Sequence, residues 1–120
     1  MATLTPTLTL TSTNALSDSL DVTFTDSLTV TDPCEIGKVT VLHNADTTLV
    51  AQSGSDTHYI YVKNHDTDNY VEVQDGGGTN IFAKLHPGEF AFFCEHPGEG
   101  VILLANTASC IVEYGIFKKG

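Results

Sequence analysis

The sequence contains no arginine and no tryptophan, and only five lysines stand against fifteen acidic residues, which gives a net charge of −10. Binding to nucleic acid depends on neutralising phosphates with Lys and Arg, so nucleic-acid and anionic-membrane partners are not expected. No stretch approaches the roughly 20 apolar residues of a membrane span. The first positive side chain is Lys38, and no continuous apolar run precedes it, so no signal peptide is predicted. These absences indicate a protein made and used in the cytoplasm.

The three cysteines, Cys34, Cys94 and Cys110, include no closely spaced pair of the kind that binds zinc. In a reducing compartment we expect them to be buried or half-buried thiols. A bridge between Cys94 and Cys110 is the alternative, and it requires their two predicted strands to face each other.

A helical period of useful length is also absent, and the first thirty residues alternate instead with a period of two. Threonines occupy most odd positions, and the large apolar residues occupy even ones: Leu4, Leu8, Leu10, Leu16, Leu20, Val22, Phe24, Leu28 and Val30. This pattern is typical of extended, half-buried strands. Within it we favour a hairpin with a loop at residues 25–27, which places Phe24 opposite Leu28 and Val22 opposite Val30; one long strand is the alternative.

The rest of the chain consists of short strand-like segments separated by turn signals. Two solidly apolar runs, Phe90 to Cys94 and Val101 to Ala105, each follow a His-Pro-Gly-Glu turn, and both are predicted to be strands buried on both faces at the centre of the fold. His58, Ile60 and Val62 are predicted to share the inner face of another strand. We therefore predict an all-β fold, a single antiparallel β-sandwich or jelly roll over residues 33–120, preceded by an extended threonine-rich arm over residues 1–32.

Several groups of residues could carry metal or phosphate chemistry, and each has a simpler interpretation. His86, Glu89, His96 and Glu99 could supply metal ligands, but their two turns follow successive strands and should lie at opposite ends of the sandwich. Asp66, Asp68 and Asn69 resemble the start of a calcium loop but lack the glycine and the distal glutamate, which favours a hairpin loop. Residues 76–78 are three glycines without the lysine or helix that a phosphate cradle needs.

Catalytic and sugar-binding interpretations are similarly weak. His43, His58 and His65 have no recognisable nucleophile beside them. Tyr59, Tyr61 and Tyr70 could form an aromatic platform for sugars, but alternate tyrosines also stabilise ordinary sheets, and there is no tryptophan. We therefore expect no catalytic residue, no cofactor and no metal site.

A resemblance to a known family covers about half the chain, from Tyr59 to Phe117. It is carried by Tyr-Ile-Tyr-Val-Lys-Asn at 59–64, Leu-His-Pro-Gly-Glu-Phe at 85–90, a small-residue turn at 106–109 and Val-Glu-Tyr-Gly-Ile-Phe at 112–117. This part of the chain resembles small β-structured virion proteins of tailed bacteriophages. The resemblance implies a jelly-roll or sandwich fold and a structural, non-enzymatic role, either as a decoration or cement protein of the head or as a part of the tail and its fibres.

The expected function follows from this resemblance and from the arm, which buries little by itself and can add to a neighbour's sheet by main-chain pairing. We expect a cement protein on the capsid surface that binds across capsid-subunit junctions. Its expected partners are the major capsid protein and copies of itself, with a trimer favoured. The residues expected to contact partners are Leu4, Leu8, Leu10, Tyr59 and Tyr61. The alternative is a tail or fibre module that binds a receptor or a glycan.

Overall fold

Alternating and β-branched residues fold into eleven strands without a helix in the computed structural model, which describes residues 1–120. The strands are β1 (Ala2–Leu4), β2 (Thr7–Ser12), β3 (Leu20–Thr25), β4 (Leu28–Val41), β5 (Thr47–Val50), β6 (His58–Asn64), β7 (Val71–Asp75), β8 (Ile81–Leu85), β9 (Phe90–Cys94), β10 (Val101–Ala105) and β11 (Cys110–Lys119). A membrane-spanning helix is not among these elements.

Strands β4 to β11 form a jelly roll of two antiparallel sheets. The five-stranded sheet has the order β1-β4-β11-β6-β9, and the four-stranded sheet has the order β5-β10-β7-β8. The first of the eight strands thus pairs with the last, the second with the seventh, the third with the sixth and the fourth with the fifth. A long hairpin rolled into two facing sheets gives this pairing, so the predicted all-β sandwich or jelly-roll fold is confirmed.

The core lies between the two sheets and consists of the inward-facing residues of both. In β6 the burial alternates strictly, with His58, Ile60, Val62 and Asn64 buried, as the sequence pattern predicted for the first three. From the other sheet, Val71, Val73 and Leu103 are fully buried against them. Burying a side chain of this size stabilises the fold by roughly 1.5–3 kcal/mol, so this layer of aliphatic residues holds the two sheets together.

The two apolar runs occupy different places, and the prediction is correct for only one of them. Strand β10 lies between β5 and β7 and is buried on both faces, as predicted. Strand β9 is instead the edge of the five-stranded sheet and pairs only with β6. Its residues Phe90, Phe92 and Cys94 point away from the core and are exposed. Both faces of β9 are apolar, although the chain itself covers only one of them.

The amino-terminal segment forms a two-stranded ribbon, and the predicted hairpin at residues 25–27 is wrong. Strand β3 pairs with β2, so Phe24 lies opposite Leu8 and not opposite Leu28. Strand β1 pairs with β4 of the same chain, and Ala2 lies opposite Val30. The chain reverses between Ser12 and Leu20 instead. Residues 5–6 and 26–27 interrupt the ladder without changing its register.

The ribbon continues from the edge of the five-stranded sheet, where β1 pairs with the start of β4. Asp26 N donates to Pro6 O at 3.2 Å where the two ladders meet, and beyond this point β2 and β3 belong to neither sheet. Strand β4 runs across the predicted boundary between residues 32 and 33. There it carries two extra residues, Asp32 and Pro33, between the partners of Lys118 and Phe117. A proline fits such a bulge because it donates no ladder hydrogen bond.

The two His-Pro-Gly-Glu turns close with the same hydrogen bond but differ in their surroundings. Glu89 N donates to His86 O at 3.0 Å, and Glu99 N donates to His96 O at 3.1 Å. Gly88 (φ 82°) and Gly98 (φ 79°) both have a left-handed backbone. A Cβ atom at Gly88 would meet nothing within 4 Å, whereas one at Gly98 would lie 2.6 Å from the Ser53 carbonyl oxygen.

These surroundings predict different costs for the same substitution. Gly88→Ala should lower the free energy of unfolding by about 1 kcal/mol, from left-handed strain alone. Gly98→Ala should lower it by about 3 kcal/mol, because the backbone of residues 53–54 must also move. Urea unfolding of both variants measures the difference, and equal costs would show that close approach at Gly98 does not matter.

Candidate interaction surfaces

Strands β2 and β3 form a two-stranded sheet, which we call the ribbon. It exposes a continuous apolar face. Leu8 lies opposite Phe24, and Leu10 lies opposite Val22. These four side chains are between 42% and 55% exposed. The other face is lined by threonines, among them Thr7 and Thr25, whose hydroxyls are 3.1 Å apart. A two-stranded ribbon with no covering layer is marginally stable in water, so its apolar face calls for a partner surface.

Of the predicted partner-binding residues in the arm, Leu8 and Leu10 lie on this face. Leu4 lies at the base of the ribbon, opposite Leu28, where it is half-buried against its own chain. The alternation of leucine and threonine therefore correctly placed Leu8 and Leu10 side by side on one exposed face.

A second apolar surface covers the outer side of the five-stranded sheet, and we call it the aromatic face. Residues directly opposite each other on antiparallel strands share a face, so the pairing defines its members. One row across β4, β11, β6 and β9 contains Ile36, Gly115, Tyr61 and Phe92, and the next contains Cys34, Phe117, Tyr59 and Cys94. Ile36 is 70% exposed and Phe90, on the same side of β9, is 58% exposed.

Contacts within the aromatic face hold its rings in place. The rings of Tyr59 and Phe92 stack with centroids 6.4 Å apart and an interplanar angle of 9°. The Phe117 ring lies over Gly115, where an added Cβ atom would come within 2.8 Å of a ring carbon. The Tyr61 hydroxyl donates to Glu113 Oε1 at 2.7 Å. Partial burial of Tyr61, together with this hydrogen bond, raises the pKa of its phenol to about 12, so the ring stays uncharged.

The aromatic face is bordered by the chain's scarce positive charge. The row beyond Tyr61 contains Lys38, Glu113 and Lys63. His65 Nε2 lies 3.5 Å from Glu113 Oε1. The hydrogen bonds from Tyr61 and His65 hold the pKa of the Glu113 carboxyl below its ordinary value. Four of the five lysines lie on strands of this sheet: Lys38, Lys63, Lys118 and Lys119.

A groove of about 730 Å³ opens between β8 and β9, where the two sheets separate. Phe82 and Phe93 meet edge to face inside it, with centroids 5.1 Å apart. Polar groups from the neighbouring turns, including Asn80, His96 and Glu99, line its rim. Aromatic rings beside amide and carboxylate groups form a surface that suits a ligand with apolar faces and hydroxyls.

A buried pair of a histidine and a glutamate lies at one end of this groove. The His58 imidazole shares a hydrogen bond through Nδ1 with Glu95 Oε1, and both residues are less than 9% exposed. The second carboxylate oxygen of Glu95 accepts from Gly100 N at 3.0 Å, and Glu95 N donates to His58 O at 3.0 Å. The pair thus ties β6 to the turn between β9 and β10. Glu95 was not among the predicted site residues, although a charge directly after an apolar run was a usable signal.

The remaining candidate residues are dispersed. Gly88 N donates to Asn64 O, and Gly98 N donates to Asp56 O, so the two turns lie at opposite ends of β6, as predicted. Each turn histidine faces the glutamate of its own turn, at 3.1 Å between His86 and Glu89 and 4.0 Å between His96 and Glu99. His43 and His65 are exposed and are not near His58 in the ladder, since His65 follows the far end of β6.

The loop after β6 crosses between the sheets, so its interpretation as a hairpin loop is wrong. Asp66 Oδ2 accepts from Asp68 N at 3.0 Å and from Asn69 N at 2.7 Å, and these bonds lower the pKa of the Asp66 carboxyl. Buried Asn64 fixes the loop by donating to Asn69 O and Leu85 O. The three glycines at 76–78 do connect a hairpin, between β7 and β8.

Tyrosine and cysteine positions also differ from some expectations. Tyr70 packs on Lys84 and His86 beside the other sheet, so it does not join Tyr59 and Tyr61 in one platform. All three cysteines are free, and Cys34 and Cys94 are exposed, so only Cys110 is the predicted buried thiol. The alternative bridge between Cys94 and Cys110 is wrong, since these residues pair with opposite ends of the sheet.

No protein-family model, no curated protein and no solved structure matches this chain.

The buried pair predicts a large loss of stability when one partner is removed. Glu95→Ala should lower the free energy of unfolding by about 3 kcal/mol, because His58 and the Gly100 amide lose their buried acceptor. Glu99→Ala removes the carboxylate of the exposed pair and should change stability by no more than about 0.5 kcal/mol. Chemical denaturation of both variants compares them, and a small effect at Glu95 would mean that water replaces its carboxylate.

Proposed function

We propose that the protein is a structural component of a tailed-phage particle, a decoration or cement protein that binds across the junctions between capsid subunits. The observation that carries this proposal is the ribbon, which stands away from both sheets and exposes Leu8, Leu10, Val22 and Phe24 on one face. An element of this kind serves to attach its chain to a neighbour. In this proposal the arm of residues 1–32 provides the attachment.

The jelly-roll fold is compatible with the proposal, since this fold builds viral capsid domains as well as lectins. A fold alone does not decide between such functions. Two of the sequence motifs that resemble virion proteins, at 59–64 and 112–117, lie on β6 and β11, adjacent strands of the sheet that carries the aromatic face. Tyr59 and Tyr61 lie on that face, so they remain proposed partner contacts together with Leu4, Leu8 and Leu10.

The charge of the chain suits an exterior position. A net charge of −10 opposes binding to the packaged nucleic acid and keeps a protein that is present in many copies soluble before assembly. Proposed partners are the major capsid protein and further copies of this chain, arranged as a trimer. Many weak identical contacts then sum to firm attachment through multivalency.

The proposal predicts that Leu10→Glu abolishes decoration of particles. Burying a leucine contributes about 2 kcal/mol, which corresponds to roughly a thirtyfold change in affinity for each contact. The matched control is Thr9→Glu, which adds the same charge to the adjacent residue on the threonine face. Particles that lack the protein are incubated with each variant and sedimented, and the bound protein is quantified.

Retention of Leu10→Glu at full occupancy would show that the ribbon is not the attachment element. Immunogold electron microscopy of intact virions tests the location independently. Label over the head supports the proposal, label confined to the tail favours the second candidate below, and particles without label contradict both.

The groove between β8 and β9 favours a second candidate, a tail or fibre module that binds a receptor glycan. Phe82 and Phe93 offer rings for stacking on sugar faces, and the polar rim offers hydrogen-bond partners. This function predicts saturable binding to a member of a glycan panel, weakened at least about tenfold by Phe82→Ala. Tyr70→Ala, outside the groove, serves as the control. An absence of binding across a broad panel would contradict this candidate.

A further inference from the structure

Two apolar surfaces of this chain lack a partner, and their widths are compatible. The ribbon offers two strands with one apolar side, and the aromatic face offers four strands with an apolar outer side. Faces of this kind pack as layers about 10 Å apart, with interdigitating side chains. Four adjacent strands span about 14 Å between the outer two, which accommodates a ribbon about 5 Å wide between its strands.

The charges of the two surfaces are complementary. The ribbon and its tip, residues 7–25, contain two carboxylates, Asp18 and Asp21, and no lysine. The aromatic face is bordered by Lys38 and Lys63, with only Glu113 between them. For a chain with a net charge of −10, association of copies is opposed by repulsion over most of the surface. Lys38 and Lys63 therefore weaken the repulsion of an acidic ribbon at this face.

The ribbon does not cover the aromatic face of its own chain. Its base joins the sheet at the edge formed by β1 and β4, whereas β9 forms the opposite edge. Only residues 5–6 and 26–27 connect it to that edge, and the pairing continues beyond them in the same register. Ile36, on the strand next to this edge, is 70% exposed. The ribbon extends away from its own domain.

We propose that the ribbon of one copy packs its apolar face onto the aromatic face of a second copy. The inference rests on the proposed function insofar as it names the neighbour to which the arm attaches, a second copy of this chain. One-way exchange of this kind is a heterologous contact, and where its rotation closes it forms a ring, which we propose to be a trimer. It covers Phe90 and Phe92 of β9, whose run of apolar residues is typical of a strand buried on both faces.

Native thiols make a sharp test possible, because Cys34 on β4 and Cys94 on β9 lie in the same row of the aromatic face. The two strands β11 and β6 lie between them. In the full chain, Leu10→Cys places a fourth thiol on the apolar side of the ribbon. Mild oxidation should then give an intermolecular disulfide to Cys34 or Cys94, identified by peptide mapping. Thr9→Cys is the matched control on the threonine side and should not form it, since a disulfide requires Cα atoms within about 7 Å.

The oligomeric state of the purified protein provides the second measurement, by gel filtration with light scattering in the absence of any particle. The wild-type chain should be a closed oligomer, Leu10→Glu and Ile36→Glu should both be monomers of 12.8 kDa, and Thr9→Glu should remain oligomeric. A monomeric wild-type chain would overturn the inference. So would an oligomer that Leu10→Glu dissolves but that a folded Ile36→Glu variant preserves, because the ribbon would then bind elsewhere.

Alkylation of the wild-type chain covers the case in which Ile36→Glu fails to fold. Cys34 and Cys94 should react slowly in the oligomer and rapidly in Leu10→Glu, while buried Cys110 stays slow in both. Equal rates in both proteins would contradict the inference. These outcomes are separate from particle decoration: a stable oligomer that never binds particles would contradict the proposed function and leave the contact between copies intact.

Discussion

The jelly roll depends on the pairing of β11 with β4 and β6, because this last strand joins the beginning of the domain to its middle. Ten residues of β11 pair with β4 on one side, and seven pair with β6 on the other. The inner residues of β11, among them Val112 and Ile116, complete the core. Bringing β11, at the end of the chain, next to β4 closes a long loop, which costs conformational entropy before the strand pairing stabilises the sheet. The sheet is therefore stable only when the end of the chain is in place. The aromatic face exists only in the same state, since its rows run across these three strands.

Much of the fold could be predicted from residue patterns because side-chain alternation reports directly on burial. The period of two in β6 identified which residues enter the core, and turn residues marked the strand boundaries. Strand partners were harder to predict, since the same alternation fits several pairings. Phe24 has an apolar residue to face in either hairpin, and its pairing with Leu8 depends on where the chain reverses. Local sequence contains little information on that choice.

The candidate surfaces were predicted in part, for a physical reason that β9 and β10 illustrate. Both strands are runs of five apolar residues, and this composition indicates only that each strand has two apolar faces. It does not indicate whether the same chain covers those faces. Strand β10 is covered by its own chain, whereas Phe90 and Phe92 of β9 are not. Leu8, Leu10, Tyr59 and Tyr61 could be selected from alternation. Ile36 could not, because it joins the aromatic face only through the long-range register between β4 and β11.

The unbroken register of the ribbon restricts how this arm can change in length during evolution. Each of its two interruptions contains two residues. The leucines of β2 therefore point to the same side as Leu4, and Val22 and Phe24 point to the same side as Leu28. Deleting a single residue from one side would turn every later leucine of that strand towards the threonine side. Viable descendants therefore gain or lose residues here in pairs, and lengthening at the tip, between Ser12 and Leu20, is the change that leaves both faces intact.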